Sequence, residues 1–491
     1  MSTLVHFPSA FAFPHFGVVL DFCSENVETD DLKFILCNGQ KRTCFKCPMI
    51  SQTRCSACKL QSKITINKYL SRDCIINDEH EYRKFDVEFK TVDELTGLVH
   101  RDVQVGYAAL ATYISLTRDI PDILTNDITR ILKLYLDDAM NVADHLHKLI
   151  KEHTPEKIVS FNGRYAENRA YYDISKALNI EFTCLEIVRD FSNTEHIKLR
   201  PQFYKSLPHD MVQIKNLVND TWNDSIHSED EKINIGRKFF ENRKSGNPIG
   251  DINHIEQQIY GNLPLNYNTN DKKKINIFCS SEDEVASLGN EFSDLNIFKT
   301  QVDGIKWLAD QLPKHKYDIF VRIHPNLKYV NKPYHSELKC LSAYANNLNV
   351  ITAESPISTY SLIEKGDVNI VFNSTVGVEC AYFNKPTILC GASFYYFLDV
   401  CMVAKTKKQL LEYIFSPKVN ESNIEAIKYG YYQATRYIFA NSFKKVPVKL
   451  KQIQMFGWNF AHPQYNKILN SVLLSKLIDW STSAVSKLSQ K

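Results

Sequence analysis

Residues 368–383 read VNIVFNSTVGVECAYF, and this stretch decides the fold. Val368, Ile370, Val371 and Phe372 form a short β-branched and aromatic run with no regular polar face. Asn373-Ser374-Thr375 breaks the run, and a helix-forming segment follows from Gly377 to Phe383. A strand too apolar to face water, feeding directly into a helix, belongs in a parallel sheet covered on both sides.

The same alternation extends outward in both directions. Strands are expected at 275–279, 318–323, 350–352, 368–372 and 386–390, with helices at 302–312, 332–347, 360–365 and 377–383 between them. This is the doubly wound pattern of an open parallel sheet. Nearer the N-terminus, strands are expected at 16–22, 32–36, 157–161 and 181–187. The helices there are expected at 107–117, 128–152 and 166–178. In the second of these, Ile128, Leu132, Tyr135, Ala139, Val142, Leu146 and Leu149 line one face. The expectation is therefore an α/β protein of two Rossmann-like domains: residues 1–217, with a cysteine-rich insert at 37–74, and residues 275–420. A polar segment at 218–274 reads as a helix and interdomain linker, and 421–491 as C-terminal helices.

Length and charge agree with that plan. The 491 residues, 44% of them hydrophobic, suffice for two large cores. A net charge of +3 gives no reason to expect a nucleic-acid partner. No apolar run approaches the roughly 18 residues of a membrane-spanning helix, and the prolines of the first twenty residues argue against a signal peptide. A cytoplasmic protein with reduced thiols is expected. The basic, amphipathic stretch 469–491 reads as a terminal helix packed on the body or as a helix lying on the inner face of the cytoplasmic membrane.

Ligands of open α/β sheets lie beyond the carboxyl ends of the strands, and the candidate residues gather there. Ser374 and Thr375 open a helix whose free N–H groups suit a phosphate, and Gly377 permits close approach. An ordinary helix cap explains the same residues. Arg322, His324 and Pro325 close a neighbouring strand and offer positive charge for a departing phosphate. Ser280 and Ser281 close the first strand of that sheet. The acidic run behind them, Glu282-Asp283-Glu284, is a poor metal site because successive carboxylates point in different directions. In the N-terminal sheet, Asn162, Gly163 and Arg164 occupy the equivalent place, with Glu167 and Arg169 one turn on. The plainer reading there is an Asn-Gly turn beside a surface ion pair. Glu186 ends the next strand, where a carboxylate can take a proton from a hydroxyl. Cys44, Cys47, Cys55 and Cys58 form two Cys-x-x-Cys pairs that read either as a structural zinc site or as reduced thiols.

Taken together, IFCSSEDE at 277–284, VRIHPN at 321–326, the run from Ser355 to Gly391 and SFNGRYAENRA at 160–170 resemble the capsule polysaccharide biosynthesis glycosyltransferases. The resemblance spans residues 16–414 and implies a GT-B fold, two Rossmann-like domains facing across a cleft. It implies a nucleotide-sugar donor on the C-terminal domain, a glycan or lipid-linked acceptor on the N-terminal domain, and no cofactor at the chemical step. His324-Pro325 and Ser374-Thr375 are similar to the donor-binding motifs of bacterial sialyltransferases and Kdo transferases. Glu379 is similar to the carboxylate that binds the donor's hydroxyls. The acidic-acidic-Gly base motif of the sialyltransferases is not evident, so the resemblance names no base. Two other activities share this architecture: a nucleotide-sugar 2-epimerase, and a non-catalytic assembly factor for capsule synthesis.

Overall fold

The computed structural model describes residues 1–438 except 13, 29, 42, 45–51, 77–79, 191–197, 248–256 and 420–421. Two sheets organise it. The N-terminal sheet contains β1 (Ser2–His6), β2 (Asp31–Ile35), β3 (Lys157–Phe161), β4 (Glu181–Asp190) and β5 (Lys198–Tyr204). Its order is β2-β1-β3-β4-β5, parallel except for the antiparallel pair β4–β5. The C-terminal sheet contains β6 (Lys273–Phe278), β7 (Tyr317–Arg322), β8 (Leu348–Ile351), β9 (Val368–Val371), β10 (Thr387–Leu389) and β11 (Met402–Val403). Its order is β11-β10-β9-β6-β7-β8, parallel throughout. This is a GT-B-type pair of Rossmann-like domains. The C-terminal strand order reverses between β6 and β9, and the N-terminal order between β1 and β3. Ligand crevices open at such reversals.

Alternation along the central strands fills two cores at once. Ile275 and Ile277 of β6 and Ile319 and Val321 of β7 enter one cluster. Phe278, Phe320 and Val371 enter the cluster on the opposite face. Every residue of β7 and of β9 is buried, as expected of strands roofed by helices on both sides.

Several elements differ from the sequence reading, each for a physical reason. Residues 16–22, expected as a strand, lie in the helix His15–Asn26. The nine residues from Phe16 to Ser24 are all buried, so the helix has no solvent face and its sequence lacks a helical stripe. The strand β1, which lies between β2 and β3 in the N-terminal sheet, is five residues of a segment broken soon after by Pro8 and Pro14. The helix expected at 332–347 is shorter, Pro333–Cys340, and tightens into a 3₁₀ turn at Leu341–Ala343. The expected boundary at 217/218 falls inside the helix Met211–Asn223. A second helix, Glu229–Lys244, follows and opens with a capping box between Ser228 and Glu231. Both helices pack against the helix Ile424–Thr435. Gly236 allows the closest approach, since a Cβ there would lie 2.4 Å from the Ile427 carbonyl oxygen. The stretch 469–491 lies outside the described residues. Among the described residues, no helix is long and apolar enough to cross a membrane.

Candidate active site at the interdomain seam

The carboxyl edges of the two sheets meet. The helix Val105–Thr117 of the first domain ends at Arg118, in the left-handed region with φ 53°. Its guanidinium reaches the second domain, donating to Asp283 Oδ2 at 2.7 Å and Ser281 Oγ at 3.2 Å. Arg164 crosses the same seam and donates to the Glu284 carbonyl at 3.2 Å. A third crossing comes from Arg169, which is 1% exposed and donates to the Leu288 carbonyl at 2.9 Å. The surface ion pair expected of Arg169 is thus corrected. It is buried and held by Asp173, with Nε 2.8 Å from both carboxylate oxygens, while Glu167 lies 3.9 Å from Lys41. His209 sits beside this seam, and burial together with Arg164 and Arg169 pulls its imidazole down to about 3.

On the N-terminal side, Asn162 and Gly163 end β3 with φ of 64° and 84°. The Asn162 amide donates from Nδ2 to Glu186 Oε1 at 3.1 Å, and its Oδ1 accepts the Arg164 N–H at 3.3 Å. Glu186 lies in β4 and is partly exposed as a residue, yet its carboxyl end is desolvated. Burial pushes that carboxyl up to about 7, against the opposing effects of the Asn162 hydrogen bond and the Arg164 charge. A carboxyl poised near neutrality is in the range where a general base works best.

On the C-terminal side, the sequence candidates divide into two groups. Three of them are committed to the protein itself. Arg322 is 3% exposed, and its guanidinium donates to the Thr352 carbonyl at 2.5 Å and the Ser355 carbonyl at 3.2 Å. Burial draws its pKa down to about 10. Glu379 is 4% exposed and accepts from Arg243 Nε at 3.1 Å and Nη2 at 3.0 Å, and also from the Tyr360 hydroxyl. Gly377 makes room for Tyr395, whose hydroxyl would lie 2.1 Å from a Cβ at that position. That hydroxyl donates to the Ser374 carbonyl at 2.6 Å, so the glycine serves the turn from beneath.

The second group surrounds the reversal between β6 and β9. His324 caps the turn Pro325–Leu327 by accepting the Asn326 N–H at Nδ1, 3.1 Å away, which puts the neutral ring's proton on Nε2. Asn326 in turn donates to Glu284 Oε1 at 2.9 Å and Ser281 Oγ at 3.4 Å. The Ser280 N–H is held by Gln301 at 2.7 Å, and its buried hydroxyl has no hydrogen-bond partner among the described residues. Ser374 is buried and caps Val376 N–H at 3.3 Å, whereas Thr375 is partly exposed. Thr375 lines a cleft with Arg243, Glu379, Tyr429 and Gln433. Sequence reasoning missed Arg118 and Gln433 and gave Asn326 no role within its motif; Arg118 belongs to the other domain, and Gln433 to a helix that packs back from the C-terminus.

No protein-family model matches the chain, and none of the curated proteins matches it. Among solved structures it is similar to the Thermosulfurimonas dismutans KpsC β-Kdo 2,4 transferase at 14% identity, over 56% of this chain and 78% of that one, with a TM-score of 0.34. The Methanocaldococcus jannaschii UDP-GlcNAc 2-epimerase, in complex with UDP-GlcNAc and UDP, is similar at 10% identity over 89% of this chain and 99% of that one, with a TM-score of 0.27. The Neisseria meningitidis UDP-GlcNAc 2-epimerase, bound to UDP-GlcNAc, is similar at 12% identity over 89% and 98%, with a TM-score of 0.26. Likenesses this distant carry no argument about the site. The strand orders and the seam carry the fold.

The cysteine cluster is separate from this seam. Cys44, Cys55 and Cys58 line a cavity at the carboxyl ends of β1 and β2, together with His6 and Lys41, while Cys47 lies outside the described residues. Burial raises the Cys58 thiol, which contacts Ser9 Oγ at 3.2 Å. Among the described residues, no three His, Cys, Asp or Glu side chains are grouped so as to hold a metal ion.

Proposed function

We propose that the protein is a glycosyltransferase that moves a sugar from a nucleotide-activated donor to a hydroxyl of a glycan or lipid-linked acceptor. The observation that carries this reading is Glu186, a carboxyl held up to about 7 beside the Asn162 amide and beside Arg164, whose side chain reaches across the seam to the opposing domain. In the proposed step, Glu186 takes the acceptor's hydroxyl proton as the oxygen bonds to the sugar's anomeric carbon. The bond from that carbon to the nucleotide's phosphate oxygen breaks. The charge that develops on the phosphate is met by donors at the β6–β9 reversal: the His324 Nε2–H, the Ser374 and Thr375 hydroxyls, and the Ser280 hydroxyl. Arg322 and Glu379 act there as supports, since Arg322 donates to the Thr352 and Ser355 carbonyls and Glu379 is paired with Arg243. Closure of the two domains on the donor would exclude the water that otherwise hydrolyses it. The bacterial surface polysaccharide setting comes from the sequence resemblance.

The test is thermal melting against a panel of CMP, UDP, GDP and their sugar conjugates. A ligand that binds the folded state alone raises the melting temperature as its concentration exceeds its dissociation constant. One nucleotide class should stabilise the protein, and His324→Ala should lose that shift while melting normally without ligand. Silence across the whole panel would contradict the reading, and conversion of a nucleotide sugar without any acceptor would favour the epimerase.

A further inference from the structure

The end of β3 is built around one amide. Asn162 stands at φ 64°, a left-handed conformation that asparagine, aspartate and glycine tolerate better than other residues. Gly163 follows at φ 84°, and a Cβ there would lie 2.5 Å from Leu207 Cδ2. The turn therefore fixes the backbone from which the Asn162 side chain departs. From this fixed position the amide makes two contacts of opposite sense. Its Nδ2 donates to Glu186 Oε1 at 3.1 Å, and its Oδ1 accepts the Arg164 N–H at 3.3 Å. The Arg164 side chain then passes to the Glu284 carbonyl at 3.2 Å and to the Tyr165 hydroxyl at 2.6 Å.

We propose that Asn162 is the positioning residue of the site: it aims the Glu186 carboxyl and sets its proton affinity, and it ties that carboxyl to the arginine that spans the seam. The proposal rests on the reading of Glu186 as the base. A carboxylate favours a donor over empty space, so the Nδ2 hydrogen bond stabilises the charged form against the burial that opposes it. Neither alternative residue for this backbone reproduces both contacts. Glycine supplies neither. Aspartate keeps the acceptor for the Arg164 N–H but replaces the donor with a second carboxylate at hydrogen-bond distance from Glu186. The groups that face Glu186 are Asn162 and Arg164 from the turn, and Cys184 and Tyr204 from β4 and β5.

The experiment titrates Glu186 directly. Infrared difference spectra follow the band of the protonated carboxyl with pH, and Glu186→Gln identifies its share. Asn162→Gly keeps the left-handed backbone and should move the Glu186 titration upward by roughly one pH unit. Asn162→Asp, close to isosteric, should move it further through like-charge repulsion. Thermal melting checks that both variants are folded, and either one suffices for the reading. If transfer uses Glu186, the lower limb of the pH profile of kcat/KM moves with the titration. A shifted titration with an unmoved rate profile upholds the role of Asn162 and removes Glu186 from the transfer step. A Glu186 titration unchanged in both variants overturns the proposal.

Discussion

The two carboxyl edges that meet at the seam treat their charged residues in opposite ways. On the N-terminal edge, Glu186 is held by the Asn162 amide and the Ile187 backbone N–H, with the Arg164 charge near, and burial leaves it near neutrality. On the C-terminal edge, Glu379 is saturated by Arg243 and Tyr360, and Arg322 is spent on two carbonyls. A fully paired carboxylate is fixed in charge and serves as a support. A carboxylate whose direct hydrogen bonds come from neutral N–H groups, and which burial desolvates, can exchange a proton near pH 7. The contrast agrees with the proposed division of labour, with proton transfer on the first sheet and donor binding on the second.

The largest expected effect tests the structural half of this contrast. Arg243→Ala leaves the buried Glu379 without its cation and should destabilise the fold by about 3–5 kcal/mol in urea unfolding. A loss below 1 kcal/mol, with weakened nucleotide binding instead, would return Glu379 to the role of a ligand-binding carboxylate.

The functional half carries a stability cost with a definite pH dependence. Because Glu186 titrates near 7 when folded and near 4.5 when unfolded, the folded state holds its proton more tightly between those values. Its contribution therefore stabilises at low pH and is lost as pH rises through that window. Glu186→Gln removes the ionisation and retains an acceptor for Asn162. The variant should be more stable than the parent at pH 8, by at most about 3 kcal/mol, with the advantage fading towards pH 4.5. Parallel stability curves for the two proteins would show that Glu186 is not desolvated, and the contrast between the edges would fall.

The sequence made the C-terminal sheet legible almost strand by strand, because β6, β7 and β9 are apolar on both faces and each is followed by a helix or a tight turn. It was less informative where burial erased the pattern. The helix His15–Asn26 is enclosed on all sides and reads like a strand. The site was legible in position but not in partnership. Asn162, His324, Ser374 and Glu379 occur at strand ends or the helix starts behind them, whereas Glu186, expected at a strand end, lies inside β4, which runs on to Asp190 to pair with β5. What each one does depends on residues far away in the chain: Arg243 is 136 positions from Glu379, and Glu284 is 120 from Arg164. Local spacing holds no record of such contacts. The helix Ile424–Thr435 adds Gln433 to the cleft lined by Thr375 and Glu379 for the same reason.

The most direct measurement is the rate of sugar transfer by Glu186→Gln, made with the nucleotide donor identified by thermal melting. Removing a general base should slow transfer by about 10²–10⁴-fold, with donor affinity unchanged because Glu186 lies on the opposite sheet. Transfer within a few-fold of the parent protein, at the same pH and donor concentration, would contradict the account.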